Sequence, residues 1–158
     1  LAAMRLTDVG VRCVEVTLSG WDSHVANHDI HEGLNKQLDP AFAALIKHLK
    51  DRDRFDDTIV ICAGEFGRTP SINPGGGRDH WPHGFSVAVA GGGLRGGQII
   101  GETDPEGSRL TMEQGTSIAD VHSTVLKGLG ISPHRELDSS IGRPMKLSEG
   151  TPIPQLLG

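Results

Sequence analysis

Apolar positions fall into several short runs and one long helical stripe. Residues 11–18 (VRCVEVTL) are β-branched and apolar, end at Ser19-Gly20, and predict a strand. Ahead of them, Leu1, Met4 and Leu6 precede Gly10, the pattern of a helix end stopped by glycine. Leu34, Leu38, Phe42, Leu45 and Leu49 recur at helical spacing, interrupted by Asp39-Pro40. Asp at an N-cap followed by Pro at the first helical position starts a helix well. A helix is therefore expected over about 40–52, with 29–38 a separate or kinked turn. Residues 58–63 (TIVICA) are apolar throughout, as in a parallel strand buried on both faces. Residues 85–90 (FSVAVA) predict the next strand, ending at Gly91-Gly92-Gly93, and 97–101 (GQIIG) a short strand or hairpin arm. Residues 117–129 put Ile118, Val121, Val125 and Leu129 on one helix face and close at Gly130. From Pro133 the chain is Pro/Gly-rich and polar until an apolar end at 153–157.

Strand, helix, strand, loop, strand, helix is an α/β order, and 158 residues suffice for a single domain, or a domain fragment, over 1–158. The chain begins LAAMRL, so any export signal would lie upstream of Leu1. With a net charge of −5 and no basic run, nucleic acid is not expected as a partner. No apolar stretch is long enough to span a bilayer. Cys13 and Cys62 sit in apolar runs without metal or redox spacing, and are expected as buried free thiols. GGGLRGG lacks the GK[ST] of a phosphate loop and reads as a turn.

In α/β sheets, ligands bind beyond the carboxyl ends of the strands. Three clusters fall there. Asp22 and His24 follow the first strand, Glu65 and Arg68 follow the second, and Asp79-His80 precede the third. Two residues apart in extended chain, Asp22 and His24 point the same way. Carboxylates with imidazoles suit a hydrolytic divalent metal, Zn²⁺ or Mn²⁺ first, with Ca²⁺ or Mg²⁺ as alternatives. Two such ions could clamp the oxygens of a phosphoryl or sulfuryl transfer. The fork of Arg68 suits an oxyanion. The bland readings are a turn-capping Asp22, a solvated Glu65 and a surface turn at Asp79-His80. His28, His31, His48 and His134 read as exposed helix or loop residues, while His83 sits near the same edge. The residues between the clusters, SINPGGG, read as the mobile middle of a connection between neighbouring parallel strands.

TIVICAGEFGR, FSVAVAGGGLRGG and ADVHSTVLKGLGI resemble segments of the alkaline phosphatase/sulfatase superfamily. GWDSH, GEFGRTP and GRDHWP together look like an uncharacterised bacterial family of that superfamily, known only as a domain of unknown function. The resemblance implies an alkaline-phosphatase-like, mostly parallel sheet flanked by helices, of which this chain is the C-terminal part. It implies an exported, metal-dependent hydrolase acting on small-molecule or glycan phosphate or sulfate esters, with its nucleophile N-terminal to Leu1. The alternative is a non-catalytic exported binding or scaffold protein that keeps the fold. Glu65 matches the Asp of the superfamily's Asp-His-Gly motif, and Phe66 stands where that motif has His. His80, or His83, matches the later metal-binding His. Asp22 and His24 match the earlier Asp/His pair at shorter spacing, with His28 as a possible substitute for His24. The metal set is thus Asp22, His24, Glu65, Asp79 and His80, with Arg68 on the oxyanion.

Overall fold

The computed structural model describes residues 1–109 and 115–158. Its elements run in the order α1 (Ala2–Asp8), α2 (Asn27–Asp51), β1 (Ile59–Cys62), β2 (Gly67–Arg68), β3 (His80–Trp81), β4 (Ala88–Gly91), α3 (Ile118–Gly128), β5 (Glu136–Asp138) and β6 (Pro144–Lys146). A 3₁₀ turn at Pro154–Leu156 follows. The chain divides into two compact units, residues 1–55 with 66–85 and residues 56–65 with 86–158. No helix among the described residues is long and apolar enough to cross a membrane.

The frame of the first unit is α2. Ile30, Leu34, Leu38, Phe42, Leu45 and Leu49 form its inward stripe, and Leu49 is 1% exposed. Burying that one side chain stabilises the unit by about 1.5–3 kcal/mol. The helix is one continuous element through Pro40, where a separate or a kinked turn was expected before it. Proline removes one backbone hydrogen bond, but the apolar stripe continues on both sides of it. α1 is tied to α2 through Asp8, which meets His48 at 3.2 Å and Arg52 at 3.4 Å. Arg54 also donates to the Thr7 carbonyl.

The start of α2 has no side-chain cap, and Ala26 sits in the left-handed region at φ 45°. Its first amides are satisfied from far along the chain instead. Ala26 donates to the Gly75 carbonyl at 3.2 Å and Asn27 to that of Gly76 at 2.9 Å. Those carbonyls belong to an excursion closed by an antiparallel ribbon, β2 with β3, that sets Arg68 opposite His80. Thr69 extends the ribbon by donating to the Asp79 carbonyl at 2.9 Å.

In the second unit, β1 and β4 pair antiparallel, Ile59 opposite Gly91 through Cys62 opposite Ala88. The two apolar runs were expected to be parallel neighbours. A parallel return needs a crossover, usually helical, and the chain between them carries only the two-residue strands β2 and β3. Gly91, Gly92 and Gly93 all take positive φ and close a turn with Leu94. A Cβ on Gly92 would lie 2.2 Å from the Ile59 side chain. α3 opens with a capping box between Ser117 and Asp120. Its buried Ser123 donates to the Gly150 carbonyl at 2.8 Å, and Thr124 accepts from the Ile153 amide at 2.8 Å. The polar tail forms a hairpin, β5 with β6, that the sequence pattern did not foretell.

Two other expected strands do not form. Residues 11–18 and 97–101 have no regular structure. β-propensity needs a partner strand to become structure, and Val16 is 74% exposed. Both thiols are free as expected, but Cys13 is exposed and Cys62 half-buried.

Candidate metal centre

Three ligand atoms converge in the first unit. Asp22 Oδ1 lies 2.9 Å from His80 Nε2 and 3.1 Å from His24 Nε2. The two Nε2 atoms are 3.2 Å apart. A tetrahedral zinc ion with bonds of about 2.0–2.1 Å has ligand-to-ligand edges of about 3.3 Å. The triangle therefore has the size of one face of such a site. All three side chains keep substantial exposure, 64%, 45% and 50% for Asp22, His24 and His80, so an ion could enter.

The segment carrying Asp22 and His24 is tightly turned rather than extended. Ser23 donates its amide to the Trp21 carbonyl at 2.9 Å, and His24 donates to that of Asp22 at 3.2 Å. Between the two ligands, Ser23 is fully buried. Its hydroxyl donates to Asn27 Oδ1 at 2.8 Å and lies 2.9 Å from His31 Nε2. With its own proton given to Asn27, the hydroxyl accepts from His31. Trp21 sets its ring edge-on to His31 at 5.2 Å. The buried serine anchors the turn onto α2 while its neighbours face outward. His31, expected to be exposed, is instead half-buried in this anchor.

His80 arrives on β3. Its ring stacks at 4.8 Å from that of His24 and 4.4 Å from that of Phe66. Phe66, standing where the resemblance called for a ligand, thus supports a ligand's ring. The backbone of Arg78 donates to the Ser23 carbonyl at 3.0 Å, which ties the two ligand-bearing segments together.

Asp79, expected as a ligand, sits outside the triangle. Its Oδ1 lies 2.9 Å from His24 Nδ1, on the far side of the ring from the triangle. A carboxylate there holds the proton on Nδ1 and turns the Nε2 lone pair inward, the arrangement that supports metal-binding histidines. Arg68 places Nη2 2.6 Å from Asp22 Oδ1 and Nη1 3.3 Å from the Arg78 carbonyl. Glu65 falls in the other unit and is exposed. His28 is exposed, and His83 sets its ring against Trp81 at 5.7 Å.

The electrostatics favour ionised carboxylates. Hydrogen bonds from His80, then Arg68, hold the Asp22 carboxyl down at about 2. His24, then Asn73, hold the Asp79 carboxyl below the usual range. Both stay anionic at neutral pH and can neutralise a dication.

Sequence reasoning missed Ser23, His31 and Asn73. Ser23 had a signal in its place between two candidate ligands. Asn73 had none beyond the turn-forming Asn-Pro pair.

A family model described as a protein of unknown function (DUF1501) matches residues 1–157. No curated protein and no solved structure matches the chain.

Proposed function

The chain belongs to the DUF1501 family, and on that premise we propose that it is a divalent-metal-dependent hydrolase-like protein acting on phosphate or sulfate esters. The observation that carries this reading is the triangle of Asp22 Oδ1, His24 Nε2 and His80 Nε2, with Asp79 on the outer nitrogen of His24. Two imidazoles and a carboxylate are the donor set of hydrolytic Zn²⁺ or Mn²⁺ sites, and three protein ligands leave a position open. Such an ion supplies Lewis-acid activation of an ester oxygen. Asp22, His24 and His80 hold it, Asp79 orients His24, and Arg68 orients Asp22 while offering further N–H donors to an oxyanion. The alkaline-phosphatase-like fold, the export and the small-molecule or glycan ester are parts of the same reading, supported by the motif resemblance. Glu65 remains a proposed ligand on that resemblance alone.

A second reading, a metal-holding binding or scaffold protein without turnover, is favoured by Phe66, which fills a ligand position with an apolar ring at 4.4 Å from His80. Metal analysis of the intact protein, with His24→Ala and His80→Ala, tests the site. Absence of any divalent metal in the wild type, with no change in the variants, would sink it. A screen of aryl phosphates and sulfates then separates the readings. Turnover abolished by chelation supports the hydrolase, and metal-loaded but inert protein supports the binder.

A further inference from the structure

One side chain outside the ligand set makes four hydrogen bonds around the triangle. Asn73 Nδ2 donates to the His24 carbonyl at 3.0 Å and to Asp79 Oδ1 at 3.1 Å. Its Oδ1 accepts the amides of Gly75 and Gly77, each at 2.9 Å. The backbone of the same residue closes the loop, donating to the Gly77 carbonyl at 2.8 Å and accepting from Gly76 at 3.0 Å. Asp79 Oδ1 is also the atom that faces His24 Nδ1 at 2.9 Å. One amide group therefore fixes both the backbone of His24 and the carboxylate that sets its tautomer. Gly77 cannot carry a side chain here, because a Cβ would lie 2.0 Å from the His24 carbonyl carbon.

We propose that Asn73 is a positioning residue that holds the Asp79–His24 couple so that His24 keeps its proton on Nδ1 and presents a bare Nε2 to the centre. This rests on the metal-centre reading for its consequence, but the tautomer itself belongs to the metal-free chain. The two halves of the amide have separable duties. Its oxygen folds the loop, while its nitrogen serves the site. Asn73→Asp keeps an acceptor for Gly75 and Gly77 and removes both donations. Asn73→Ala removes everything.

The test has two readouts on intact protein. Nitrogen-15 NMR of the histidine rings, at a pH where His24 is neutral, reports its tautomer without metal. Cobalt(II) titration reports affinity, and circular dichroism confirms the fold of each variant. In the wild type, His24 should be protonated on Nδ1. In Asn73→Asp that population should fall, and cobalt affinity should drop about 10–100-fold, the range for losing such a supporting contact. Asn73→Gln, which restores the NH₂ at a different reach, should recover less than full affinity. An Asn73→Asp protein with wild-type tautomer and wild-type cobalt affinity would overturn the proposal. If the wild type binds no cobalt at all, the metal-centre reading fails, and the tautomer of Asn73→Asp alone decides the role of Asn73.

Discussion

Gly77→Ala is a small change that should damage both stability and the metal centre. The added Cβ would sit 2.0 Å from the carbon and oxygen of the His24 carbonyl and 2.4 Å from the Val25 nitrogen. All are backbone atoms, so no rotamer relieves the clash. Contacts of about 3 Å or more are needed, so the two segments must part by about 1 Å. Overpacking of this kind costs about 1–3 kcal/mol. The separation also strains the Ala26–Gly75, Asn27–Gly76 and Arg78–Ser23 hydrogen bonds, each worth about 0.5–1.5 kcal/mol. Because those losses overlap, a total of about 2–4 kcal/mol is expected. Metal bonds tolerate only about 0.2 Å, so parting His24 from His80 by far more should also remove most cobalt affinity. Urea denaturation and cobalt(II) titration measure the two effects. Gly33→Ala is the control. It lies inside α2, with nothing within 4 Å of its added Cβ, and should stabilise by about 0.5–1 kcal/mol. If Gly77→Ala matches wild type within about 0.5 kcal/mol and keeps its cobalt affinity, the assembly of the site described above is wrong.

Ser23→Ala should cost about 1–3 kcal/mol in urea denaturation, because it strands Asn27 Oδ1 and His31 Nε2 without their buried partner; a neutral result would remove Ser23 as the anchor. Asp79→Asn should weaken cobalt binding about 10–100-fold, whereas His24→Ala should abolish it, and equal losses would restore Asp79 to the ligand set. The His80 and Arg68 hydrogen bonds hold the Asp22 carboxyl down at about 2 against an ordinary 3.8. A lowered carboxyl contributes stability that is complete above 3.8 and disappears as pH falls toward about 2. Asp22→Asn should therefore flatten the acid limb of the stability profile in that window, measured as urea midpoint against pH in metal-free protein. A limb as steep as in the wild type would show that Asp22 forms no such pairing in solution.

Local signals in the sequence were read well where they were self-contained. Ile118, Val121 and Val125 put one apolar face within a single segment, and α3 forms there at Ile118–Gly128. The structure brings together five of the six expected residues, Asp22, His24, Arg68, Asp79 and His80, while Glu65 belongs to the other unit. The roles within that set were not legible. A carboxylate next to a histidine in sequence reads as a ligand, and only geometry shows Asp79 on the outer nitrogen of a different histidine. The direction of β4 was misjudged because TIVICA and FSVAVA are dominated by apolar residues, a pattern that says nothing about the strand's sense. Residues 11–18 carry strand propensity, and propensity cannot name a partner. Asn73 looked like loop filler because amide bonds to distant backbone leave no periodic trace.

The distant carbonyls that finish the first turn of α2 make the helix a reporter on the site. Ala26 and Asn27 are hydrogen-bonded to Gly75 and Gly76, so their amides are protected only while the excursion is docked. Opening of that excursion need not unfold the rest of the helix, whose stripe continues to Leu49. Hydrogen exchange at these two amides, compared with exchange in the middle of α2, thus separates local undocking from global unfolding. It gives the free energy of docking the excursion in the native protein, with no metal or substrate added.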